Sequence, residues 1–194
     1  MTLKILGGTF RNRSLKTPKG PQTRPTLAIL RKAVFDICQQ EIEGALVLDL
    51  FAGSGAMGLE ALSRGAQHAT FVDKDRYALS CIYENIKQFQ LEDQTDVIGA
   101  DVLATLKKLS ARKLQFDIVT IDPPYAAAAQ TALLTTLLTY LETHDMLKEG
   151  AIVFVEEGAP ASLKPSCLKL EKLHHLNSRT FSQSVLHQFR YRLS

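Results

Sequence analysis

The stretch LVLDLFAGSGAMGLEALSRG, Leu46 to Gly65, passes from an unbroken apolar segment through a cluster of glycines into a helical pattern. Val47, Leu48 and Leu50 read as a strand buried on both faces, and the helix runs from about Ala56 to Arg64. A buried strand, a glycine turn and a helix form the repeating unit of an α/β fold. Working outward, ATFVD (69–73), TDVIGA (95–100), FDIVTI (116–121) and AIVFVEE (151–157) read as four more strands. Helical patterns over Arg76–Phe89, Val102–Ser110 and much of 127–142 separate them. Leu27, Leu30, Val34 and Ile37 recur at helical spacing after Thr26, a plausible N-cap, which predicts a helix to about Glu43. Continuous Val, Ile and Leu strands between amphipathic helices predict a mostly parallel sheet covered on both faces. Beyond Pro165, CLKLEKLHHL and VLHQFRYRL read as two further strands that close the sheet as an antiparallel hairpin, with a turn around Asn177 to Gln183.

At 194 residues and 45% hydrophobic, the chain suits one α/β domain (26–194) preceded by a small appendage (1–25). No run approaches the ~18 apolar residues of a membrane span, and no secretory signal is apparent. Cys38, Cys81 and Cys167 are far apart and odd in number, which fits buried reduced thiols in a cytoplasmic protein and no metal site. His174 and His175 would face opposite ways in a strand, so a shared metal is not expected. The net charge of +3 conceals an asymmetry: residues 1–32 carry eight basic side chains and no acid, and residues 164–194 carry six against Glu171 alone. Everything between sums to −10. Basic ends on an acidic body favour a polyanion partner such as a nucleic acid. The first segment, LKILGGTFRNRSLKTPKGPQTRPT, reads as a basic hairpin or irregular arm whose Arg11, Arg13, Lys16 and Arg24 would contact phosphates.

Gly53, Gly55 and Gly58 spell G-x-G-x-x-G, and Asp73 follows Gly53 by 20 residues, as in a dinucleotide fingerprint. Asp49, four residues before Gly53, argues against that cofactor. A carboxylate there repels a pyrophosphate but suits a ligand carrying an amino group and a sulfonium, as S-adenosylmethionine does. Its carboxylate could then sit near the helix N-terminus. Asp73, ending the second strand, can accept from both ribose hydroxyls. Asp101 can accept from an adenine amine, with Val102 against the ring. For each of these two acids a helix cap is an equal alternative. Together, at the carboxyl ends of successive strands, they favour the ligand.

The fourth strand ends in IDPPY (121–125). Two prolines cannot continue a sheet ladder, and they hold the turn rigid without adding N–H donors. An exocyclic amine on a nucleobase is a poor nucleophile and must be held in line with the sulfonium. The Asp122 carboxylate and the Pro123 carbonyl can converge on such an amine, Pro124 stiffens the turn, and Tyr125 can stack on the flipped base. A carboxylate accepts at both oxygens, which matches the two adjacent donors on guanine's Watson–Crick edge and leans toward guanine N2 over adenine N6.

In LDLFAGSGAMGLEALSRGA, IDPPY, ILGGTFRNRSL and TRPT, the chain resembles the RsmD family over about residues 3–190. The resemblance implies a class I, Rossmann-like S-adenosylmethionine-dependent methyltransferase with a seven-stranded sheet. It implies methyl transfer to N2 of a guanine in 16S rRNA, on assembling or assembled 30S subunits, by a protein read as a cytoplasmic monomer. The donor site implied comprises Asp49, Phe51, Ala52, Gly53, Ser54, Gly55, Asp73, Lys74, Asp101 and Val102, bordered by Thr26. The catalytic turn is Asp122, Pro123, Pro124 and Tyr125. The rival readings are a DNA adenine-N6 methyltransferase using the same turn, a nicotinamide oxidoreductase, and a non-catalytic RNA-binding assembly factor. The first is disfavoured by the want of a sizeable target-recognition domain, the second by Asp49 and DPPY.

Overall fold

Because each parallel strand is covered on both faces, its successive side chains alternate between two cores. In a computed structural model the described residues are 3–18, 25–124 and 127–193, with side chains described for all but 25–27 and 127–129. Five parallel strands, β1 (Leu46–Leu50), β2 (His68–Asp73), β3 (Thr95–Gly99), β4 (Phe116–Ile121) and β5 (Leu147–Gly158), are followed by β6 (Leu173–Phe181) and β7 (Ser184–Tyr191). They form one sheet in the order β3-β2-β1-β4-β5-β7-β6, with β7 antiparallel to both β5 and β6. On β1, Val47 enters one core with Phe71, Ile118, Phe154 and Leu186, whereas Leu48 and Leu50 enter the other with Val119, Val153 and Phe189.

The helices are α1 (Pro25–Ile37), α2 (Ala56–Ser63), α3 (Arg76–Phe89), α4 (Val102–Ala111) and α5 (Ala127–Thr143). α3 starts where its pattern predicted: Asp75 caps it, accepting the N–H groups of Tyr77 at 2.9 Å and Ala78 at 2.8 Å. α1 departs from expectation at both ends. It begins at Pro25, whose fixed φ suits a first helical position, so Thr26 lies inside the helix rather than at its cap. It stops at Ile37, not Glu43, and the chain reaches β1 through turns ending at Gly44, which has φ 71°. The closing hairpin is also longer than expected. β6 runs through Asn177, Ser178 and Arg179 to Phe181, and the turn is confined to Ser182 and Gln183. Those polar residues are exposed on both faces of β6, which is an edge strand. Of the three cysteines only Cys38 is buried, and Cys167 is exposed. No helix among the described residues is long and apolar enough to cross a membrane.

The N-terminal segment is a hairpin bridged at Lys4 and Ser14, with Ile5 and Leu15 buried in the same core as α2 and α3. Its polar backbone is met by one buried acid. Glu60 on α2, 0% exposed, accepts from Leu6 N–H at 2.7 Å and Gly7 N–H at 2.8 Å, and pairs with Arg64 at 2.8 Å. Arg31 of α1 lies 3.6 Å from the same carboxylate and donates at 2.5 Å to the Lys4 carbonyl. Ser63 adds a bond to the Gly7 carbonyl at 2.6 Å. The segment is therefore docked on α2, not projecting.

Candidate active site

In open α/β sheets, ligands sit beyond the carboxyl ends of the strands where the strand order reverses. Here that point lies between β1 and β4, and the glycine turn and the Asp-Pro-Pro turn flank it.

The chain leaves β1 with Phe51 at φ 61°, Gly53 at φ 57° and Gly55 at φ 76°. Left-handed backbone costs a bulky side chain roughly 1–2 kcal/mol, so Phe51 must be held there by its surroundings. Four bonds do so. Ala52 N–H donates to the Val72 carbonyl at 3.1 Å, Gly53 N–H to Asp73 Oδ2 at 2.8 Å, and Gly55 N–H to the Ala52 carbonyl at 2.7 Å. The Ser54 carbonyl accepts from Asn85 Nδ2 at 3.0 Å. The glycines differ in their reasons. A Cβ on Gly53 would meet nothing closer than a backbone oxygen at 4.0 Å, so that position is open to a ligand. A Cβ on Gly58 would run into the Phe71 ring, at 2.7 Å from its Cζ, so the third glycine serves helix-on-sheet packing.

Of the acids singled out in the sequence, Asp49, 3% exposed, lies under the turn: Oδ1 accepts from Thr120 at 2.8 Å and Oδ2 from Gly58 N–H at 3.1 Å. Burial pushes its carboxyl up to about 7, against those two hydrogen bonds and with help from Asp73. Asp73 is half-buried at the end of β2, each oxygen accepting one backbone N–H, from Gly53 and from Asp75 at 2.9 Å. An ionised carboxylate has about four acceptor sites, so capacity remains on the open side. Asp101 is exposed and caps α4 through the Ala104 N–H at 3.2 Å. Val102 is buried in the second core, Lys74 is exposed, and Ser54 is half-buried.

Across the switch point, Asp122 N–H donates to the Leu50 carbonyl at 3.4 Å, which joins the two turns. Asp122 is exposed, yet the protein crowded around it replaces much of its water. Desolvation first, then Glu156, then Asp49 push its carboxyl well above the usual carboxylate range. The β4–β5 register explains the neighbour: Ile121 pairs with Val155, so Asp122 and Glu156 follow one step on. Glu156, 5% exposed, and Thr120 were not singled out from the sequence, where they look like ordinary strand residues. The Pro123 carbonyl accepts from Gln130 Nε2 at 3.4 Å, and Pro124 is exposed. Arg24 and Tyr125 lie outside the described residues, as does the side chain of Thr26. Of the arm's cations, Arg11 and Lys16 are exposed. Arg13 lies over the Phe89 ring at 4.8 Å and donates to the Gln88 carbonyl at 3.2 Å, so it also anchors the hairpin to α3.

Among known proteins, the family described as "Conserved hypothetical protein 95" matches residues 3–190. Ribosomal RNA small subunit methyltransferase D of Escherichia coli K12 is 33% identical over 154 residues, 79% of this chain and 74% of that one. The chain belongs to the RsmD family. YlbH of Bacillus subtilis is 34% identical over 161 residues, 83% of this chain and 85% of that one. A solved hypothetical protein of Thermus thermophilus superposes with a TM-score of 0.79 at 28% identity, covering 98% of this chain and 99% of that one. The RsmD-family sheet, with its antiparallel β6–β7 closure, is that of class I methyltransferases.

Proposed function

We propose that this chain is an rRNA methyltransferase that moves a methyl group from S-adenosylmethionine to the exocyclic N2 of a guanine in 16S rRNA, within the 30S particle. The observation that carries the reading is the pairing, across one switch point, of the open glycine turn with a crowded carboxylate on a proline-stiffened turn. Relatives named for ribosomal RNA methyl transfer support the RNA as acceptor.

The residues fit the donor. Asp49 beneath the glycine turn and Asp122 at the end of β4 are both pushed up by desolvation and by neighbouring acids. A cationic ligand relieves that crowding, whereas a pyrophosphate worsens it. S-adenosylmethionine, when bound, supplies an electrophilic methyl on a sulfonium. Gly53 and Gly55 would cradle its amino-acid end, Asp73 the ribose, and Asp101 the adenine amine. Asp122 and the Pro123 carbonyl would accept from the guanine amine and align its lone pair. Asp122 would take the proton that the amine sheds once the new N–C bond forms. A carboxylate held above its usual range is the better base for that step, and the nearby cation keeps it ionised until then.

Methyl-labelled donor offered with 30S particles lacking the modification, naked rRNA and duplex DNA tests the assignment. Label is expected in guanine N2 of the RNA. Asp122→Ala should lower transfer by ~10²–10³ while leaving the affinity for S-adenosylhomocysteine, which carries no sulfonium, within about two-fold. Label entering only DNA, or an Asp122→Ala variant with full transfer, refutes the proposal.

A further inference from the structure

The hairpin and the donor turn are held by the same side chain. Asn85, in the middle of α3, is 0% exposed. Its Oδ1 accepts the Lys16 N–H at 2.8 Å, and its Nδ2 donates to the Lys16 carbonyl at 3.0 Å and to the Ser54 carbonyl at 3.0 Å. Both amide protons are thus committed, one to the hairpin and one to the glycine turn. A flipped amide would set its oxygen against two carbonyls and its nitrogen against an N–H, so the orientation is fixed by chemistry. Asp in this place would lose both donors. Leu would leave three backbone groups unpaired in a dry site.

The geometry gives this link leverage at both ends. On the turn side, Ser54 lies between Gly53 and Gly55, both left-handed. The Ser54 carbonyl and the Gly55 N–H belong to one planar peptide, so rotating the first re-aims the second at the start of α2. On the hairpin side, the return strand lies along α3: Ser14 receives a bond from Gln88 at 3.0 Å, and Arg13 stacks on Phe89. Lys16 is the next point of contact, and its exposed side chain is one of the arm's cations. A displacement of Lys16 toward a phosphate therefore pulls on Asn85, and through it on the donor turn.

We propose that Asn85 is a positioning residue that couples the RNA-receiving hairpin to the donor-receiving turn, so that each ligand strengthens the binding of the other. The proposal rests on the functional reading above. Linkage makes the effect reciprocal, and couplings of this kind are typically ~5–150-fold.

Calorimetric titration of S-adenosylhomocysteine, with and without saturating unmodified 30S particles, measures the coupling. The wild-type protein should bind the compound at least ~5-fold more tightly with the particle present. Asn85→Asp should still bind each ligand alone but bring that factor to within about two-fold of unity. Gln88→Ala, which loosens the hairpin without touching the turn, should weaken particle binding and keep the factor. A measurement on the wild type alone removes any dependence on a variant's folding: saturating S-adenosylhomocysteine should slow hydrogen exchange at the Lys16 amide. A wild-type factor of one, an unchanged Lys16 exchange rate, or a full factor in Asn85→Asp overturns the proposal. Methyl transfer to rRNA that persists alongside any of those results leaves the functional reading standing. Absence of wild-type binding to the donor product overturns both.

Discussion

Replacing Gly58 by Ala sets two effects of opposite sign against each other. Gly58 lies in the first turn of α2 with backbone angles open to any residue, so helix propensity alone favours Ala by ~0.8–1.0 kcal/mol. The new methyl, however, would enter the Phe71 ring, 2.7 Å from Cζ and 3.2 Å from Cδ1. Phe71 is fully buried on β2 and borders Leu59 and Ile82 at the same spot, so it has nowhere to retreat. Overpacking of this kind costs ~1–3 kcal/mol. The net expectation is a loss of about 1 kcal/mol, a fall in Tm of ~2–4 °C for a chain of this size. Urea denaturation of Gly58→Ala, Phe71→Leu and the double variant separates the two effects. In the Phe71→Leu background the methyl finds room, and Gly58→Ala should become stabilising by about the propensity value. A Gly58→Ala variant that is more stable by the same amount in both backgrounds refutes the packing account.

Two further outcomes follow from buried charge. Asp49 sits near 7 in the folded protein and near 3.8 when unfolded, so the native state holds the extra proton between those values. Stability from this group is then greatest below about pH 4 and is lost as pH rises toward 7, by up to about 4 kcal/mol. His187, lowered chiefly by its burial, acts in the opposite sense below its ordinary value, so the readout is the urea stability of wild type minus Asp49→Asn. That difference should fall steadily from pH 4 to 8, and a flat difference contradicts the burial argument. Glu60→Ala leaves Arg31 buried without its acid and strips acceptors from Leu6 and Gly7. A loss of ~3–5 kcal/mol with early proteolysis after Arg11 or Arg13 is expected, and a loss below about 1 kcal/mol would show that the hairpin is docked by Ile5 and Leu15 instead.

The parallel half of the sheet was legible because burial on both faces leaves unbroken apolar runs, and because Gly53 and Gly55 mark backbone that only glycine adopts cheaply. The ends of elements were less so. Asn177, Ser178 and Arg179 look like a turn, yet they lie in β6, where successive side chains are exposed on both faces of the strand. Ile37 ends α1 without a glycine or proline close behind it, so nothing in the composition marks the stop. Asn85 and the docking role of Glu60 were invisible for another reason. Asn85 meets main-chain groups of Lys16 and Ser54, and Glu60, beside its pairs with Arg31 and Arg64, meets those of Leu6 and Gly7; a main-chain partner leaves no residue type to notice.

That same distinction bears on how the acids near the turn should be understood. Cap and ligand were posed as alternatives for Asp73 and Asp101, but the structure gives the two residues different kinds of work. The cap of α3 falls to Asp75, which leaves the half-buried Asp73 to fix the Gly53 amide. Asp101 does cap its helix, through one oxygen of an exposed side chain. An acid already ordered by a backbone bond loses little further conformational freedom on binding, so on the proposed reading these bonds would lower the entropic cost of holding the donor. Asp49 goes further along that line. It is buried beneath the turn and accepts from Gly58 and Thr120. On the proposed reading, Asp49 would act on a cationic donor from beneath the turn without touching it.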